Sequence, residues 1–205
     1  MWPQELHPLQ HPWQSLRCEI EQAKRSSEHQ KTQIMRLLEA HACTKSGKGA
    51  FAEVWRRDEW TLKLVETRES ARALAYLRAA QRHRANPDLF PQVVHMSSVG
   101  RFSLVIMETL QHRPRWAETI LASLDWAMAQ VAEFPFPGER PNLGLSYSQS
   151  SIERTFEVIH RLLIRPDPRK WLPFQAFRMD LRPENVMFRP GTTLDQPVLV
   201  DPLAY

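Results

Sequence analysis

Cysteine is nearly absent from this chain: two in 205 residues, Cys18 and Cys43. They are too few and too isolated for a disulfide framework or a metal cluster, so free thiols in a reducing cytoplasm are expected. No apolar run follows a basic start, so no signal peptide is expected. No apolar stretch reaches the roughly 20 residues that span a bilayer, which argues against a membrane partner. There is no internal repeat and no low-complexity tract. Neither sign of charge dominates. A net charge of +4 permits anionic partners such as nucleotides but does not argue for them, and nucleic acid is not expected.

What is present suffices for a buried core: 42% of residues are hydrophobic, enough for one domain or two small lobes. Residues 1–13 are rich in Pro and His and read as irregular. Leu16, Ile20, Ala23, Ile34, Leu37 and Leu38 then recur at helical spacings, which predicts one long or broken amphipathic helix to about His41. Its "KRSSEHQK" segment reads as a solvated basic face. "AEVW" and "WTLKLV" read as strands joined by the polar turn "RRDE". In the second strand Trp60, Leu62 and Leu64 share one face, and Thr61, Lys63 and Val65 the other. A helix is predicted over about Glu69 to Arg84, with Leu74, Leu77 and Ala80 aligned. "QVVHMSSVGRFSLVIMETL" reads as a hairpin turning at "SSVG". The helix after it places Trp116, Ile120, Leu124 and Ala127 in register. A Pro/Gly-rich loop over 135–150, a helix in "SIERTFEVIHRLLI" and a closing hairpin complete the pattern. Strands gather early and helices late, which points to an α+β chain in two lobes with a cleft between them.

Four stretches carry chemistry. Gly47-Lys48-Gly49 sits where a strand turns back, and bare backbone N–H groups there can approach a phosphate. Two close glycines also serve simply as a turn. No Walker loop is formed, because the run enters a strand and not a helix. Lys63, on the returning strand, can reach a phosphate beneath that turn; a solvated strand lysine is the plainer reading. Asp180 and Asn185 bracket the Pro-fixed turn "DLRPEN". The aspartate can accept a proton from an attacking hydroxyl, and the asparagine can offer oxygen to Mg²⁺. Asp201 ends the apolar run "VLV", where its carboxylate could hold a metal. Asp195 reads as a turn residue.

The order and layout of these pieces resemble the protein-kinase set. "GKGAFAEV" resembles the Gly-rich loop, "TLKL" the Lys-bearing strand and "LVIMETL" the hinge. "MDLRPENVMF" resembles the catalytic loop, and "VLVDP" the strand ending in the metal aspartate. Within that set the chain is most similar to the early serine/threonine protein kinase of T7-like phages, over about Ser46 to Tyr205. The likeness rests on the compact glycine turn, a catalytic loop without His-Arg, and Asp201-Pro202 in place of Asp-Phe-Gly. The resemblance implies a minimal two-lobed kinase-like fold with a truncated C-lobe and an extra N-terminal helix. Its divisions would be 1–44 as a mostly helical extension, 45–110 as N-lobe and 111–205 as a reduced helical C-lobe.

It implies ATP and Mg²⁺ as cofactors. Asp180, Lys63 and Arg182 would be catalytic, with Arg182 steadying the γ-phosphate. Gly47, Lys48, Gly49, Val54, Lys63, Met107, Glu108 and Leu110 would contact ATP, with Met107 as gatekeeper. Asn185 and Asp201 would bind the metal. The implied substrates are host bacterial proteins, transcription or RNA-processing machinery among them, in the bacterial cytoplasm.

The chain departs from the pattern in places. Arg178 stands where the catalytic-loop histidine is usual. Pro202 replaces the Phe of Asp-Phe-Gly. The helix after Lys63 has no internal glutamate, which leaves Glu69, then Glu66, as ion-pair candidates. Only four residues follow Asp201, so no activation segment is expected. Two other readings compete: a kinase-shaped protein that binds and inhibits a host enzyme, and a kinase-fold phosphotransferase acting on small molecules.

Overall fold

In a computed structural model the chain is described over residues 14–22, 30–48, 52–83, 89–121, 155, 182–191 and 196–201. It is a mixed helix-and-sheet structure with a five-stranded antiparallel sheet and a second sheet of three strands. Two compact units divide it. The first runs up to Arg68 and takes in Met96–Ile106; the second takes Glu69–His95 and the chain from Met107 onward.

The first unit begins with two helices, α1 (Gln14–Gln22) and α2 (Gln30–Ala40). The one long or broken helix expected from the apolar spacing is described as two helices, and residues 23–29 between them lie outside the described residues. Leu16 and Ile20 on α1, and Ile34 and Leu38 on α2, are completely buried. Their four-residue spacing lines up one apolar stripe on each helix. His41 Nε2 and the Glu19 carboxylate, 3.1 Å apart, join the end of α2 to α1. Helix α2 stops where Ala42 turns left-handed, φ 58°, and the Cys43 N–H returns to the Leu38 carbonyl at 2.9 Å. Such a residue satisfies carbonyls that the helix end would leave without donors. Cys18 is exposed and Cys43 buried, and both are free thiols.

Strands β1 (Thr44–Lys48), β2 (Ala52–Arg57), β3 (Trp60–Glu66), β4 (Val93–Val99) and β5 (Phe102–Glu108) form the large sheet in the order β1-β2-β3-β5-β4. The expected turn between β2 and β3 is present. Arg57 pairs with Trp60, and Asp58 supplies the left-handed residue at φ 53°, a conformation that Asp tolerates better than most residues. β3 is the central strand and is covered on both faces. Leu62 and Leu64 are buried on one side, Thr61 and Val65 on the other. β4 continues through Val99, so the turn to β5 falls at Gly100-Arg101, three residues beyond the start of the expected "SSVG" turn. Gly100 decides this. Its φ is +59°, and a Cβ there would collide with the carboxamide of buried Gln30.

Residues directly opposite in adjacent strands share a face. Glu53 is opposite Leu64 and Trp55 is opposite Leu62. Glu53 is buried on this face and takes Lys31 of α2 at 2.6 Å and Lys45 of β1 at 3.0 Å. Lys31, the last residue of the segment read as a solvated basic face, therefore ties α2 to the sheet. Burial pushes the Glu53 carboxyl up, but hydrogen bonds and charge from Lys31 and Lys45 outweigh it and hold the pKa below the ordinary value. A depressed carboxyl contributes stability above its unfolded pKa and loses it as pH falls through the folded value. Glu53→Gln should therefore flatten the acid limb of a melting-temperature profile. Both lysines are 40% exposed, so the cost at pH 7 should stay near about 1 kcal/mol or below. An unchanged acid limb would show that this pair does not set it.

The second unit contains helix α3 (Ala71–Arg82), with Ala73, Leu74, Tyr76, Leu77 and Ala80 buried. It also holds the small sheet of β6 (Gln111–His112), β7 (Val186–Phe188) and β8 (Pro197–Leu199), in the order β6-β7-β8. The closing hairpin was expected; its third strand was not. Residues 114–121 are helical. There the buried positions are Ala117 and Leu121, while Trp116 is 50% exposed. The stripe is rotated by one residue from the expected Trp116/Ile120 register, because Ala117 and Leu121 offer a second apolar stripe at the same spacing. The 135–150 loop and the helix after it lie outside the described residues, apart from buried Thr155. No helix among the described residues is long and apolar enough to cross a membrane.

Candidate active site

The expected phosphate-covering residues meet in the first unit. Gly47 is opposite Val54 in β2, and Val54 is opposite Lys63 in β3. The three form one row across three strands, on the face away from Glu53 and α2. Lys63 stands between buried Thr61 and Val65 on this face, half-buried itself. That environment differs from the solvated edge on which a strand lysine is usually found. Lys48, at the end of β1, is exposed. Gly49 lies outside the described residues. Glu66 is three residues from Lys63 in the same strand, and an odd offset turns the two to opposite faces. Glu69 is exposed in the turn that leads to α3.

Gly47 lies in β1 itself. A Cβ added there would rest 3.8 Å from the Val54 Cβ, an ordinary contact, and the backbone is not left-handed. The fold does not require glycine at this place. Gly47→Ala should therefore fold with a melting temperature within a few degrees of the parent. If ATP lies against the Gly47-Val54-Lys63 row, the same change should raise its KM several-fold. A variant that melts much lower would show that the glycine serves the strand.

The second unit assembles the other half of the expected set. Arg182 is extended and exposed and leads into a single 3-10 turn, Pro183–Asn185. Pro183 stands at its start, where a missing N–H costs nothing. The Asn185 N–H closes the turn on the Arg182 carbonyl at 2.8 Å. β7 follows at once and pairs with β8 in the register Val186↔Leu199. One rung further, the Val200 N–H donates to the Asn185 carbonyl at 3.0 Å. Asn185 and Asp201 are thus brought to neighbouring positions at one end of a hairpin, both half-buried. Asp180 and Asp195 lie outside the described residues.

Two further contacts fix the Asp201 end of β8. The Leu199 N–H donates to the Leu89 carbonyl at 2.8 Å, and the Tyr76 hydroxyl donates to the Leu199 carbonyl at 2.9 Å. Val200 itself is buried. Burial, with the charge of Asp201 second, raises the Tyr76 phenol well above its ordinary value, so the hydroxyl keeps the proton that it donates.

The residues expected to form the hinge are also in this unit. Met107 and Leu110 are buried. Glu108 is bound through both carboxylate oxygens by Arg189, Nε to Oε2 and Nη2 to Oε1, each at 2.9 Å. The Gln92 N–H adds a bond to Oε1 at 2.8 Å, and Arg189 Nη2 also reaches the Phe90 carbonyl at 3.0 Å. The Glu108 side chain is therefore committed to a buried, forked ion pair that ties β5 to the residue after β7.

Arg189 and Tyr76 were not among the residues singled out from the sequence. A signal existed for each. Arg189 is a charge directly after the apolar triplet Val186-Met187-Phe188. Tyr76 lies within the buried stripe of α3.

Among the described residues no cluster of three or more His, Cys, Asp or Glu side chains forms a ready metal site. The Asn185–Asp201 pair offers one amide oxygen and one carboxylate. That set suits Mg²⁺, which takes one or two protein carboxylates and completes its shell with phosphate oxygens and water.

No protein-family model matches this chain, and no curated protein matches it. Among solved structures it is similar to WbdD in a co-crystal with the kinase inhibitor LY294002. The identity is 17% and the TM-score 0.38, over 78% of this chain and 33% of that one. The chain thus spans about a third of the length of that neighbour.

Proposed function

We propose that this protein is an ATP- and Mg²⁺-dependent serine/threonine protein kinase of the phage type, with a reduced two-lobed fold, acting on host bacterial proteins in the cytoplasm. The observation that carries the reading is the Val200 N–H to Asn185 carbonyl bond. It pairs Asn185 with the residue before Asp201, so the two residues that the catalytic-loop and metal-strand motifs assign to the metal lie one position apart in register across adjoining segments. The Gly47-Val54-Lys63 row supports it, because those motifs assign all three to the nucleotide.

On this reading Asn185 and Asp201 hold Mg²⁺, which supplies charge neutralisation for the transferring phosphate when bound. Lys63 holds the α- and β-phosphates, and Gly47, Lys48 and Gly49 cover them with backbone N–H groups. Val54, Met107 and Leu110 give apolar contact to the base, and Glu108 keeps the hinge in place through Arg189. Asp180 orients the substrate hydroxyl and takes its proton, and Arg182 steadies the γ-phosphate. Phosphoryl transfer depends chiefly on positioning and charge, so this small set suffices.

A binding protein that inhibits a host enzyme is the second reading. The absence of any acidic residue in α3, Ala71–Arg82, favours it, since Lys63 then lacks its usual helical partner. Incubation with labelled ATP, Mg²⁺ and a bacterial lysate separates the two. Label entering protein supports the kinase, and label in small molecules alone redirects it to a small-molecule phosphotransferase. No turnover, with specific capture of one host protein, would overturn the enzyme reading.

A further inference from the structure

We infer that Tyr76 is a positioning residue for Asp201: its hydroxyl ties α3 to the last residue of β8 and so sets where the carboxylate stands. The inference rests on the metal role proposed for Asp201.

β8 is an outer strand of the small sheet, paired on one side only, with β7. In an antiparallel strand successive residues direct their backbone groups alternately to the two sides. Val200 faces β7 and bonds to Asn185. Leu199 therefore faces the unpaired side, and it is completely buried. Its N–H and carbonyl would be stranded away from water, a situation that buried backbone groups avoid. Leu89 takes the N–H and the Tyr76 hydroxyl satisfies the carbonyl.

Asp201 is two residues beyond this clamp. The outer side of the strand is thus held through a phenol on α3. Tyr76 is locked in turn. Its ring is completely buried and lies 5.5 Å from the Phe90 ring. Without the hydroxyl, the Leu199 carbonyl has no donor from α3, and of the two contacts on the outer side of the strand end only the Leu199 N–H bond to Leu89 is left.

The test is Mn²⁺ binding in the presence of ADP, followed by electron paramagnetic resonance on the full chain, for the parent, Asp201→Asn, Tyr76→Phe and Leu77→Val. Asp201→Asn should lose the bound-Mn²⁺ signal. Tyr76→Phe keeps the ring and should weaken Mn²⁺ affinity about tenfold, the scale of lost support behind a metal ligand. Leu77→Val disturbs the same helix without touching a polar atom and should stay within about twofold, whatever its melting temperature. Tyr76→Phe binding like the parent, with Asp201→Asn defective, would overturn the inference and leave the kinase reading standing. Equal weakening by Leu77→Val would also overturn it, since loosening α3 alone would then suffice. A parent that binds no Mn²⁺, or Asp201→Asn binding like the parent, would remove the metal reading and the inference with it.

Discussion

Arg189→Met should cost about 3–5 kcal/mol of unfolding free energy, the usual penalty for removing one partner of a buried ion pair. The two side chains are 8% and 13% exposed. Two parallel bonds of 2.9 Å join them, so the carboxylate is neutralised by geometry as well as by charge. Removing the guanidinium leaves Glu108 charged in a site with only the Gln92 N–H as donor among the contacts described above. It also takes a donor from the Phe90 carbonyl. Methionine fills much of the volume, so the loss is electrostatic and not a cavity. Adding Glu108→Gln should recover a substantial part, because the amide needs no counter-charge and can still accept from Gln92. Urea unfolding of the parent, the single and the double variant measures both effects. A loss under about 1 kcal/mol for Arg189→Met would be the value of a surface pair and would rule out the buried one.

The second large effect concerns activity. Asp201→Asn should lower phosphate transfer by about 10²–10³-fold, the scale of losing one preorganised charge at a reacting phosphate. Lys63→Met should fall in the same range, because the lysine sits in the row that the nucleotide would cover. The fold should survive both changes. Asp201 lies beyond the last paired residue of β8, and Lys63 is only half-buried. Steady-state transfer from labelled ATP, with melting temperatures beside it, separates chemistry from stability. An Asp201→Asn variant with parental turnover would exclude the metal role. A Lys63→Met variant with parental KM and kcat would exclude the phosphate role.

Much of this molecule is legible along the chain. Alternation in "WTLKLV" identified β3, and the four-residue spacing of Leu16/Ile20 and Ile34/Leu38 identified the helical stretch that holds α1 and α2, because burial imposes those periods locally. Gly100 was legible as a turn, but its position was off. The left-handed φ and the approach of Gln30, seventy positions away, decide which residue must be glycine. The same limit explains Trp116. Periodicity gives a stripe, but two adjacent stripes in that helix are apolar, and only packing chooses between them.

For the candidate site, the sequence by itself set the candidate donors, Lys63, Asn185 and Asp201, and their order. It also determined the Pro-fixed turn before Asn185. These depend on residue type and near spacing, which one chain carries. Only the tertiary structure decided that Gly47, Val54 and Lys63 fall in one row, since that follows from strand register, and register is set by pairing between distant segments. It likewise decided that Asn185 bonds to Val200, the residue before Asp201, that Arg189 holds Glu108 from 81 positions away, and that Tyr76 clamps a strand 123 positions on. The reason is common to all three. A hydrogen bond is chosen by what burial brings within about 3 Å, and separation along the chain says nothing about that distance.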